Sequence, residues 1–357
     1  MSALPPRFVV VLAEGLLSLL DRLRRVLLPP ELYLLETTVF GGVRAQAIYT
    51  GARLGLFEAL HAGAATPAEV ALRVGAEPHL TWRLLRALAS YGVVAAEGEG
   101  YRLNAVSRLL LPGTGYAEGI RFNADPRQVA VWTALPDSLR GPGSAFERVH
   151  GAPFFQVMGR EPELGRLFDQ SMRAWAAPTI AAVLQAWRPP AGATLVDVGG
   201  GHGHYLAAIL GAAPGCRGIL VDRPEVLADA QATLAPVADR VRRQPGDFFQ
   251  AVPEGGDIYL LANILHDWGD ADCVRILDRV RAAMAPSARL LVIDIVVPPG
   301  NPTHPGPLVD LMMMALFRDG RERTAAELAL LAGQARLRVE RVIPTASPAG
   351  ITVLSPT

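Results

Sequence analysis

Leu195-Val196-Asp197-Val198-Gly199-Gly200-Gly201-His202-Gly203 runs from an apolar stretch into a cluster of glycines and then into Tyr205-Leu206-Ala207-Ala208-Ile209-Leu210. The short apolar run reads as a buried strand and the following segment as a helix. The glycines let a ligand approach the backbone, and the helix start gathers free amides and positive dipole. Asp222 ends the next apolar run, 23 residues after Gly199. A carboxylate at that place can accept hydrogen bonds from a ribose diol, so the pair predicts an adenosine-containing ligand at the carboxyl edge of a parallel sheet. The dinucleotide pattern G-x-G-x-x-G fails in both registers. Begun at Gly199 it meets His204, and begun at Gly201 it meets Leu206.

Outward from this loop, short apolar runs alternate with helical stretches. Thr194–Val198, Gly218–Asp222, Ile258–Ala262 and Arg289–Ile295 are the expected strands, and Arg336–Ile343 with Ile351–Leu354 a late edge pair. That alternation specifies an α/β domain with a doubly wound sheet over 191–357. Pro189-Pro190 marks its start, and 113–190 reads as a mostly helical linker and substrate-pocket region broken at Gly141-Pro142-Gly143. Residues 35–112 read differently. Thr66-Pro67 starts a short helix, Pro78 starts another that stops at Gly92, and Val93–Ala96 with Tyr101–Leu103 form a hairpin around Gly98-Glu99-Gly100. Helix, helix and hairpin make a winged-helix pattern. Residues 1–34 are an extension whose apolar run Phe8–Leu20, followed by Arg22, Arg24 and Arg25, predicts an amphipathic helix over 8–28 that packs in a homodimer or touches a membrane surface. It is too short to span a bilayer and lacks a cleavage site for export.

Composition narrows the function. Half of the 357 residues are hydrophobic and the formal net charge is zero, as for a well-buried globular protein without the electrostatic footprint of a nucleic-acid binder. Residues 1–112 hold 11 arginines against nine acidic residues, and the second winged-helix segment offers only Arg83 and Arg86 beside Trp82, Leu84, Leu85 and Leu88. Such a helix is made to pack and not to enter a groove, which sets a ligand-responsive DNA-binding regulator behind an enzyme. All 34 basic residues are arginine, so chemistry that requires a lysine, a Schiff base or a P-loop, is excluded. Cys216 and Cys273 stand apart in no ligand spacing, which suits a reducing cytoplasm and gives no metal site; His202 and His204 are read as loop residues.

With Asp197–Gly203, Asp222, Gly246-Asp247-Phe248-Phe249, Ile264-Leu265-His266-Asp267-Trp268 and Gly320-Arg321-Glu322-Arg323-Thr324 in this order, the chain resembles the metal-independent small-molecule O-methyltransferases, which include caffeate-type, acetylserotonin and antibiotic-tailoring enzymes. The resemblance covers about residues 40–357. It implies a Rossmann-like domain that binds S-adenosylmethionine (SAM), an N-terminal α-helical winged-helix dimerisation domain, and transfer of a methyl group to a phenolic or alcoholic hydroxyl of a secondary metabolite. In it Asp197, Gly199 and Gly201 would line the cofactor's loop, Asp222 would hold the ribose, and Asp247 and Phe248 would frame the adenine. His266 would be the general base, flanked by Asp294 and Glu322. Phe122 and Asn123 would face the acceptor, with Phe168, Met172 and Met313 as further lining. One departure stands out: where plant members carry a lysine four residues before the histidine, this chain has Ala262. Some relatives run hydroxylation or rearrangement on the same scaffold, the nearest alternative to O-methylation. From the residues, Asp267 reads as the N-cap of a helix over 270–280.

Overall fold

The computed structural model describes residues 6–300 and 304–357. The first five residues of the expected N-terminal extension lie outside it. The described residues divide into two compact units, one comprising 6–12, 135–148, 176–300 and 304–357, the other 13–134 and 149–175.

In the first unit, seven strands form one sheet in the order β5-β4-β3-β6-β7-β9-β8. The central strands are β3 (Thr194–Val198), β4 (Arg217–Asp222), β6 (Ile258–Ala262) and β7 (Arg289–Ile295), all parallel. β5 (Val241–Pro245) extends the parallel edge beside β4. β9 (Ala349–Pro356) runs antiparallel between β7 and β8 (Leu337–Pro344). The late pair closes the sheet at its antiparallel edge, as expected, with β8 outermost and β9 buried along nearly its whole length. Side chains alternate between faces, so Val196, Val198, Leu290 and Val292 join the helix Asp270–Ala283 on one side. Leu195, Leu220, Leu291 and Ile293 join the helix His204–Ala212 on the other. Both faces are covered, as expected of strands that are continuous apolar runs.

In the second unit, the helix Pro67–Val74 begins on a capping box in which Thr66 and Glu69 bond reciprocally, and ends on Gly75 in the left-handed region. The helix Pro78–Ser90 leads into the hairpin β1 (Val94–Glu97) and β2 (Gly100–Leu103). Leu56, Phe57, Val70, Leu85 and Leu88 build the core beneath them. Leu85 and Leu88 of the second winged helix thus point inward, as their apolar spacing predicts.

The N-terminal helix spans Arg7–Leu27, and Pro29 caps the next helix, which begins at Pro30. Phe8, Leu12, Leu16, Leu19, Leu23 and Val26 recur at intervals of three and four and are exposed on the single chain. That is the spacing of a helix-packing seam. Among the described residues no helix is long and apolar enough to cross a membrane.

Candidate active site

The glycine loop leaves β3 at Val198. Gly199, Gly201 and Gly203 all adopt positive φ, which side chains rarely tolerate. Gly200 is constrained differently: a Cβ there would stand 2.5 Å from the Asp197 carboxylate and from Leu220. Asp222, at the end of β4, accepts hydrogen bonds from the Gly201 amide at 2.8 Å and from the Arg223 amide at 2.7 Å. It therefore holds the loop's shape as well as presenting a carboxylate at the sheet edge. Asp197 is buried, and neither of its carboxylate oxygens has a hydrogen-bond partner among the described residues. Burial, reinforced by the Asp222 charge, pushes Asp197 up to about 7.

Phe248 lies close to Gly199 and forms an aromatic cluster with Phe249 and Trp268, with ring centroids 4.7 to 6.1 Å apart. Asp247 is exposed and turns its carboxylate to the Phe249 amide and the Gln250 side chain.

After β6 the chain passes through Asn263 at φ 54° into the 3₁₀ turn Leu265–Asp267. His266 Nδ1 stands 2.8 Å from Glu322 Oε1, and its Nε2 stands 3.5 Å from Asp267 Oδ1. The Glu322 side chain is fully buried, and its backbone amide donates to Asp310 Oδ1 at 2.8 Å. Asp294 makes no hydrogen bond to His266 among the described residues and acts on it through charge. Burial alone would lower the imidazole, but the charges of Asp267, Glu322 and Asp294 outweigh it and lift His266 to about 10. The same burial pushes Asp267 up to about 6 and Asp294 up to about 7.

Two of these features escape the sequence. Asp267 does not cap the helix Asp270–Ala283: Gly269 occupies the N-cap without a side-chain bond, and Asp267 turns back to His266. Arg323 is buried and donates to the carbonyls of Leu265 and Trp268 and to Asp270, each at 2.8 Å. It ties the turn that carries His266 to the loop that carries Glu322. Gly320 lets the two approach, since a Cβ there would meet the carbonyls of His266 and Asp267 at 2.7 and 3.0 Å. The adjacency of His266 and Asp267 was a usable signal for the first feature. Nothing local marks the second.

The residues expected around the acceptor come from both units. Phe122 is buried against Phe154 and Phe168 in the second unit. Asn123 is exposed on the single chain and donates to the Gly119 carbonyl of its own helix. Met172 is half-exposed in the second unit, and Met313 is buried in the first.

Two family descriptions match the chain: an O-methyltransferase domain over residues 132–338 and an O-methyltransferase dimerisation domain over 37–113. Among curated proteins, the mitomycin biosynthesis 6-O-methyltransferase of Streptomyces lavendulae is 38% identical over 310 residues, 85% of this chain and 88% of that one. The 8-amino-8-demethylriboflavin N,N-dimethyltransferase of Streptomyces davaonensis is 35% identical over 79% of this chain and 83% of its own. Among solved structures, CalO1, a methyltransferase in calicheamicin biosynthesis in its SAH-bound form, superposes with a TM-score of 0.80 at 34% identity, covering 92% of this chain and 98% of that one. These likenesses span both units and set aside the DNA-binding regulator. The chain belongs to the SAM-dependent O-methyltransferase family, in which a dimerisation domain precedes a Rossmann-like methyltransferase domain.

Proposed function

We propose that this chain methylates a phenolic hydroxyl of a small secondary metabolite, with His266 as the general base. The observation that carries the reading is the 2.8 Å pairing of His266 Nδ1 with the buried Glu322 carboxylate. Glu322 fixes the tautomer with hydrogen on Nδ1 and leaves Nε2 as the basic nitrogen, while stabilising the imidazolium that forms.

The cofactor supplies an activated methyl sulfonium when bound, so the protein's tasks are alignment and removal of one proton. The residues around the glycine loop fit such a group. Asp222 has lone pairs left for a diol beyond the two amide bonds it accepts, and a Cβ at Gly201 would face open space. Asp222 presents a carboxylate beside the loop, which opposes an anionic pyrophosphate and suits a cationic ligand. Asp247 and Phe248 are assigned to the adenine, and Phe122, Met172 and Met313 to the acceptor.

A phenol is more acidic than an aliphatic alcohol and gives up its proton to an imidazole more readily. The carboxylates around His266 raise its basicity and stabilise the imidazolium that forms. The proton leaves the hydroxyl for His266 Nε2 as the oxygen takes the methyl group. We assign the exposed seam of the N-terminal helix to a second copy of the chain, continuous with the dimerisation domain that starts at residue 37. Contact of residues 8–28 with a membrane would show as sedimentation of the intact dimer with anionic vesicles.

The experiment is incubation with methyl-labelled SAM and a panel of phenols, aliphatic alcohols and aromatic amines, read by mass spectrometry. Label on phenolic oxygen, at rates rising with pH above 7, is the expected result. Label confined to nitrogen, as the riboflavin-type relative's name describes for that protein, would overturn the hydroxyl assignment.

A further inference from the structure

A cavity of about 20 Å³ beside His266 is lined by His266, Asp294, Glu322, Thr352 and Arg323 among others. Three polar atoms of its lining, Asp294 Oδ1, Glu322 Oε2 and Thr352 Oγ1, are buried and have no hydrogen-bond partner among the described residues. Thr352 is 1% exposed and Glu322 5%. Their convergence follows from register. Val292 pairs with Thr352 and Asp294 with Gly350 across β7 and β9, so Asp294 and Thr352 are diagonal neighbours on one face of the sheet. Glu322 reaches the same face from the loop that Arg323 anchors.

We propose that this cavity is a built site for one water molecule that holds Glu322 in line with His266, and that Thr352 is a positioning residue for the general base through it. The volume suffices for one water, which needs two to four polar partners. The donor and acceptor inventory also closes. Two carboxylate oxygens accept the water's two hydrogens, and the Thr352 hydroxyl donates to its oxygen. Two carboxylates facing one space cannot hydrogen-bond each other while ionised, and leaving either oxygen bare inside the protein is costly. The bridge removes both penalties at once. It pins Glu322 Oε2 so that Oε1 points at His266 Nδ1, and it ties the charge of Asp294 into the same network. The raised pKa of Asp294 belongs to this environment, since deep burial is what lifts it. The side chain that completes the site lies on the last strand, 30 residues after Glu322, with no motif around it.

The role assigned to this water rests on His266 being the base; its presence does not, and the two are tested separately. A crystal structure of the full chain at a resolution that shows waters should place one ordered oxygen within hydrogen-bond distance of Asp294, Glu322 and Thr352. A cavity free of density, or closed by a side chain, overturns the site. Thr352→Val keeps the shape and removes the hydroxyl. It should lower kcat roughly tenfold, about what one hydrogen bond in a charged network is worth, with SAM affinity unchanged. It should also shift the titration of His266, which a merely structural threonine would not do, and Thr352→Ser should restore both. An ordered water combined with unchanged kcat and unchanged His266 titration in Thr352→Val would overturn the positioning role. Loss of activity in Thr352→Val that Thr352→Ser does not restore would overturn it equally.

Discussion

Replacing Asp267 with asparagine should lower the pKa of His266, because a buried carboxylate 3.5 Å from Nε2 is the largest of the influences holding it up. With an effective dielectric constant of about 20, two unit charges at that separation attract by about 5 kcal/mol, equivalent to roughly three and a half pH units. Part of this will be recovered. Asp294, poised at about 7, ionises more readily once Asp267 is neutral and restores some negative charge near the imidazole. A net fall of roughly two units is expected, from about 10 towards neutrality. The assay needs no acceptor: heteronuclear NMR of histidine-labelled protein, titrated from pH 5 to 11, with the His266 signals assigned by their loss in His266→Gln. A change below half a unit, with the fold intact, would refute the electrostatic argument.

Asp222→Ala should weaken SAM binding about tenfold or more by calorimetry, since the carboxylate both shapes the loop through Gly201 and is assigned to the ribose; unchanged affinity would remove it from the site. Asp197→Asn should flatten the pH dependence of stability. The folded protein keeps Asp197 protonated up to about 7 while the unfolded chain releases the proton near 3.8, so wild-type stability falls as pH rises through that window, by on the order of 4 kcal/mol in total. Thermal unfolding from pH 4 to 8 should show a shallower decline in the variant, and parallel curves would contradict the burial argument. Gly320→Ala should destabilise by about 1–3 kcal/mol, because the new Cβ meets two carbonyl oxygens that cannot yield independently, and should reduce activity by moving Glu322. A variant with wild-type Tm and turnover would show that the two loops are not so tightly packed.

The chemistry of this chain is most legible where backbone geometry and residue type constrain each other. Gly199, Gly201 and Gly203 announce positive φ in a strand-to-helix turn, and four of the parallel strands announce themselves as apolar runs. β5 does not, because Val-Arg-Arg-Gln-Pro lies at the sheet margin and its polar side chains face solvent. The late pair lies at the edge as expected, while the antiparallel insertion of β9 between β7 and β8 is a matter of topology that local pattern does not encode. Asp267 follows the rule for an N-cap, yet a buried imidazole next to it attracts a carboxylate more strongly than free helix amides do. Phe122 packs against Phe154 and Phe168 as core aromatics do, and Asn123 satisfies its amide within its own helix. Arg323 and Thr352 gain their meaning only from contacts across long stretches of sequence.

His266 as the proton acceptor is the claim on which the mechanism stands. The most direct measurement compares single-turnover methyl transfer by wild type and His266→Gln on a phenol identified from the acceptor panel, with SAM affinity measured on the same samples. A fall of about 10²–10⁴ in the rate of transfer with SAM affinity unchanged is the predicted result. A fall of less than tenfold would mark His266 as structural and leave the proton to another group.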